Sequence, residues 1–333
     1  MPRRRRLFKS RALYEICFRA RNSLPLSCCK IIETLIKSSI ARTQRDDKVI
    51  ICHDLWNGSH CHMLVVSQDS EQLKRFYEEL QKRITDYMKR LLGINYLNIW
   101  EGYPMVAEIA DLKAAKSRIS YIYANPAQDN LESSIERFPG YSSWNDFNEC
   151  RSRLSASTSI KVPWVRLPTI PKLKTLIVND DQSRRINKLF SLRNRDIHIL
   201  KREPNAWMRC FNIKNDSDVL AINDEIMKNV RIREQLASDK RNKKGWLVMG
   251  FKALKSQPIM KSHSPKKRSR KIFVISSIKK LRINIIQNFK KFCDICKDCY
   301  KQWRLGNFKI EWPLGAFKPP LPPMVNLLYS SFS

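Results

Sequence analysis

The stretch that decides the fold runs Lys48-Val49-Ile50-Ile51-Cys52-His53-Asp54-Leu55-Trp56-Asn57-Gly58-Ser59-His60-Cys61-His62-Met63-Leu64-Val65-Val66-Ser67. Residues 48–56 read as one strand and His60 to Ser67 as the next. Asn57-Gly58 is a tight-turn signal, so the two strands form a hairpin. Side chains two apart on a strand share a face, so His60 and His62 converge while Cys61 points away.

Working outward, residues 70–92 carry Leu73, Phe76, Leu80, Ile84, Met88 and Leu91 at helical spacing, with Asp69 or Ser70 to cap the start and Gly93 to end it. Upstream, residues 28–44 place Ile31, Ile32, Leu35, Ile36 and Ile40 three to five apart, and residues 11–22 read as a strand. Downstream, residues 96–108 are extended, and Leu112, Ala115, Ile119 and Ile122 stripe a helix over 111–125 that Pro126 closes. Strand, helix, strand, strand, helix, strand predicts an α+β fold: a ferredoxin-like (RRM-like) antiparallel sheet with helices on one face, the last helix lying against it. Residues 133–150 read as an irregular tail.

The 333 residues suit two domains: 1–150, a proline-containing linker over 151–175 (Pro163, Pro168, Pro171), and a basic, mostly helical extension over 176–333. In the extension, 217–242 reads as a charged helix and 272–299 as a helix or strand–helix. The formal net charge is +32. It is uneven: residues 1–150 hold 23 basic and 18 acidic side chains, and residues 151–333 hold 40 and 13. Such a chain attracts polyanions, nucleic acid first. No apolar stretch approaches the ~18 residues of a spanning helix, which argues against a membrane. The basic start, Met1-Pro2-Arg3-Arg4-Arg5-Arg6, lacks the apolar core of a secretory signal. Ten scattered Cys suit a reducing cytoplasm, and eight Gly leave little room for a phosphate-cradling loop.

Two constellations carry chemistry. His60 and His62 form a half-built metal site or two ordinary polar residues at a strand end. Arg118, Tyr121 and Asn125 share one helix face. Tyr121 is then either a nucleophile whose phenolate the guanidinium favours or an amphipathic side chain covering the sheet. Two imidazoles and an amide oxygen with open positions favour Mg²⁺ or Mn²⁺ over a closed zinc site. Cys293, Cys296 and Cys299 fit a metal site or one buried helix face. Lys266, Lys267, Arg268, Arg270 and Lys271 form a cationic run, either a solvated loop or a phosphate contact. Pro319-Pro320-Leu321-Pro322-Pro323 is stiff and packs back on its domain or docks elsewhere.

Four segments in order carry a resemblance: Tyr14-Glu15-Ile16-Cys17-Phe18-Arg19-Ala20-Arg21-Asn22, Asn57-Gly58-Ser59-His60-Cys61-His62-Met63-Leu64-Val65-Val66, Tyr121-Ile122-Tyr123-Ala124-Asn125-Pro126 and Phe138-Pro139-Gly140-Tyr141-Ser142-Ser143-Trp144. Residues 1–145 thereby resemble the single-tyrosine HUH transposases, in particular the REP-associated tyrosine transposases. The resemblance implies a divalent ion on His60, His62 and Asn125, Tyr121 as nucleophile, Tyr123 as structural, and single-stranded or hairpin DNA as substrate. It also implies a 5′-phosphotyrosine intermediate, a nucleoid-associated protein, and work as a homodimer or monomer. The rival expectation is a DNA-binding protein that has kept the fold and lost cleavage. RNA binding across the sheet would want exposed aromatics, and the strand 60–67 has none.

Overall fold

A computed structural model describes residues 9–21, 30–92, 96–163, 197–257, 272–316 and 318–320. The cationic run 266–271, Gly93 and most of the proline-rich tail lie outside them. The chain opens with β1 (Ala12–Arg19), α1 (Lys30–Asp47), β2 (Ile50–Asn57), β3 (His60–Ser67), α2 (Ser70–Leu92), β4 (Met105–Ile109) and α3 (Leu112–Gln128). The hairpin forms with Asn57 opposite His60, so Gly58 and Ser59 make the turn and Asn57 belongs to the strand. Asp69 caps α2, its Oδ1 accepting from the Gln72 amide at 2.7 Å.

The strands order β2-β3-β1-β4, with β1 antiparallel to both β3 and β4 and β2 antiparallel to β3. A two-residue strand β7 (Val274–Ile275) adds to β4 in parallel, so the five-stranded sheet is mixed rather than wholly antiparallel. Asp111, the N-cap of α3, holds that addition: its carboxylate accepts from the Ser276 hydroxyl and from the Ser277 amide and hydroxyl.

Alternation along the strands splits the core in two. Tyr14, Ile16 and Phe18 of β1 and Cys61, Met63 and Val65 of β3 pack with α1 and α2. Leu13 of β1 and Leu64 of β3 pack instead with α3, with α4 (Trp144–Glu149) from the stretch expected to be irregular, and with α5 (Asp216–Lys244). Helices therefore cover both faces, not one. The physical reason lies past residue 150. Helix α5 supplies Val219, Ile222, Ile226 and Val230 to bury α3, which could not cover that face alone.

The expected linker contains a strand, β5 (Thr158–Pro163), paired antiparallel with β6 (Ile197–Arg202). Val162 and Leu200 of this pair join the core formed by α1 and α2. Arg202 is fully buried and binds Asp54 and Asp146 at 2.8 Å each, as well as the Tyr141 hydroxyl. The first 150 residues and the segment beyond them thus share both cores. The remaining elements are α6 (Gly250–Lys255) and α7 (Lys279–Arg304), on which Cys296 and Cys299 are buried. Among the described residues no three His, Cys, Asp or Glu side chains gather to hold a metal.

Candidate active site

The face of the sheet under α3 carries Glu15, Cys17 and Arg19 from β1 beside His62 and His60 from β3. Strand register sets the rows: Cys17 lies opposite His62 and Arg19 opposite His60, while Asn57 of β2 lies opposite His60 on the other side. Helix α3 crosses these rows. Arg118, near its middle, reaches Glu15, and Asn125, near its end, accepts through Oδ1 from the Nδ2 of Asn57. Tyr121 lies between the two on the same helix face, over the imidazoles.

The helix continues through Pro126 to Gln128. Proline donates no bond to the carbonyl four residues back, here that of Ile122, and crowds it. Beyond Pro126 the helix end is closed locally: the Asp129 amide donates to the Asn125 carbonyl, and the Leu131 amide donates to that of Pro126. Asn125 is therefore a buried residue inside the helix, aimed at the sheet, and not a frayed helix end.

The rings of His60 and His62 meet edge to face with centroids 5.0 Å apart, and the rings of His62 and Tyr121 at 5.9 Å. The Nδ1 of His62 is 2.7 Å from Oε1 of Glu15, which is wholly buried. Arg118 donates to the same carboxylate through Nε at 2.7 Å and Nη2 at 2.5 Å. Its guanidinium carbon lies 4.3 Å from the centroid of the Tyr121 ring. These two donors of Arg118, expected to bind phosphate, face an internal carboxylate. The charge of Arg118 acts on Tyr121 from beside it.

Electrostatics divides the two imidazoles. Burial, then the charges of His62, Arg19 and Arg118, depress the pKa of His60 to about 3, so it is neutral at neutral pH. Burial also opposes charge on His62, but Cys17 and Glu15 outweigh it and raise the pKa. Burial likewise opposes the charge on Glu15, and His62 and Arg118 overcome it, holding the carboxylate ionised. For Tyr121, burial raises the phenol pKa against the pull of Arg118, so the free phenol is protonated and needs a base or a further cation to ionise.

With Nδ1 turned to Glu15, the Nε2 of His62 is buried without a hydrogen-bond partner. A carboxylate that orients one ring nitrogen so that the other can bind metal is a recurrent arrangement around metal ions. His60, His62 and the Asn125 amide would hold a divalent cation that displaced the proton kept on His62 by its raised pKa and the Asn57 bond on the Asn125 oxygen. Sequence reasoning missed Glu15, Asn57 and Cys17. An acidic residue amid the apolar strand Leu13–Phe18 was the available signal, since a buried charge on a strand is rare without a partner. Tyr123 is structural, as expected: it is buried, and its hydroxyl meets Nδ1 of His53 at 2.8 Å and the Ser143 hydroxyl at 3.0 Å.

No known protein-family profile matches the chain, and no curated protein matches it. Among solved structures, it is similar to a REP-associated tyrosine transposase bound to a REP hairpin, with 19% identity and a TM-score of 0.39 over 44% of this chain and 86% of that one. Among the described residues no helix is long and apolar enough to cross a membrane.

Proposed function

We propose that the chain is a single-tyrosine DNA strand transferase acting on single-stranded, hairpin-forming DNA. The convergence of Tyr121 with the two imidazoles under one helix carries this reading. His60, His62 and Asn125 would hold Mg²⁺ or Mn²⁺, which when bound supplies Lewis-acid polarisation of the scissile phosphate.

The remaining work belongs to the chain itself. Glu15 fixes the ring of His62 and keeps its Nδ1 occupied. Arg118, anchored on Glu15, lends positive charge to the Tyr121 ring as the phenol gives up its proton. The phenolate oxygen attacks phosphorus, the bond to the 3′ oxygen of the preceding nucleotide breaks, and a 5′-phosphotyrosine forms with a free 3′-hydroxyl. Attack by another 3′-hydroxyl reverses the step, so the phosphodiester is conserved and no nucleotide cofactor is consumed. Burial of Tyr121 lowers the dielectric around the reacting atoms and strengthens the pull of Arg118 on the developing charge.

The test is a labelled hairpin strand incubated with Mn²⁺ and resolved under denaturing conditions. A covalent band that Tyr121→Phe abolishes supports the reading. Retention of the band in that variant moves the nucleophile elsewhere. DNA binding without any band leaves the protein a binding module.

A further inference from the structure

A groove runs beside the candidate active site between the end of α3 and one face of α5. Asp129 lies on one wall, and Arg233, Leu236, Lys240, Arg241 and Trp246 form the other, around about 410 Å³. The α5 residues recur at three, four and seven, so they make a single stripe. The Asp129 carboxylate on its wall lies near enough to His62 and Arg19 to feel their charges.

The chemistry of the stripe is mixed in a specific way. Lys240 is exposed, Leu236 is 62% exposed, and the Trp246 indole is 48% exposed with the Lys244 ammonium 4.4 Å from its ring centroid. The indole is held in place rather than loosely displayed. Gly245 takes the left-handed conformation that ends α5 (φ +63°), the Trp246 amide donates to the Arg241 carbonyl, and the Met249 amide donates to that of Asn130. The carbonyl end of α3 would repel an anion, but buried Arg241 donates to the Ala127 carbonyl at 2.6 Å and covers it.

We infer that this groove binds a single-stranded segment of DNA flanking the cleaved phosphate, with a base on Trp246 and phosphates on Lys240 and Arg233. Cations along a channel with an aromatic platform are what a single strand needs, because every base has a π-face and every linkage a charge. The inference rests on the strand-transfer reading for its direction, but it is tested without cleavage.

The experiment measures binding of a fluorescent single-stranded thymidine oligomer to the full chain across a range of salt. Trp246→Ala should weaken binding about ten-fold, from the stacking lost, while Trp246→Phe retains most of the affinity. Lys240→Ala should lower the salt slope by about one. Wild-type affinity and salt slope in both alanine variants would overturn the groove, even if hairpin DNA still yields a covalent adduct. If the oligomer responds as expected and no hairpin ever yields an adduct, the strand-transfer reading falls and the groove stands.

Discussion

Glu15 and His62 lie on neighbouring strands with Oε1 and Nδ1 2.7 Å apart, and the same carboxylate receives the guanidinium of Arg118. One buried acid thus orients the ring proposed to bind metal and anchors the cation beside the proposed nucleophile. Glu15→Gln keeps the shape and removes the charge. Loss of such an outer partner typically lowers metal affinity about 10–100-fold, and calorimetric titration with Mn²⁺ should show a drop in that range. Unchanged Mn²⁺ affinity would mean that Glu15 serves only packing.

Arg202 offers a second test, on the fold. It is buried between Asp54 and Asp146, which come from the first 150 residues. Removing it strands two carboxylates, so Arg202→Ala should cost about 3–5 kcal/mol in urea unfolding. Arg202→Met restores apolar volume but not charge and should be no better, because the carboxylates remain unpaired. A cost below about 1 kcal/mol, the scale of an exposed pair, would show that the later segment is a loose appendage.

His53 sets a pH dependence. It is fully buried, and burial lowers its pKa to about 3. The unfolded chain takes up this proton near pH 6.5 and the folded chain does not, so the contribution of His53 is complete above about 6.5 and is lost as pH falls toward 3, by about 1.4 kcal/mol per unit. Urea midpoints taken across that range should fall with acid, and His53→Gln should flatten the decline. An identical slope in the variant would place the acid sensitivity elsewhere.

Tyr123 and Tyr121 separate by burial despite lying two residues apart. Tyr123→Phe removes a hydroxyl bonded to His53 and Ser143 and should destabilise by about 1–3 kcal/mol, since it leaves buried partners unmatched. Tyr121→Phe touches a half-buried side chain and should stay within about 0.5 kcal/mol in the same urea assay.

Much of the first 130 residues was legible because periodicity is a local signal. Helix α2 matches its expected span, residues 70–92, and β3 matches His60 to Ser67. The pairing of His60 with His62 followed from strand alternation, and the shared face of Arg118, Tyr121 and Asn125 from helical spacing. Three features were not legible, each for a non-local reason. Pro126 stays in its helix, whose end is closed beyond it by the Asp129 and Leu131 amides on the Asn125 and Pro126 carbonyls. Asn57 looked like a turn residue, but the register turns its amide toward Asn125. Past 150, β5 and β6 are short and far apart in sequence, and only their seat against α1 shows that Val162 and Leu200 are core.

The central claim is that the Tyr121 oxygen becomes bonded to phosphorus. The direct measurement is mass spectrometry of peptides from the full chain after incubation with a hairpin strand and Mn²⁺, followed by nuclease digestion. A nucleotide mass added to the peptide containing Tyr121, absent without Mn²⁺ and absent in Tyr121→Phe, is the predicted result. A nucleotide on any other residue, or an adduct that survives Tyr121→Phe, would contradict it.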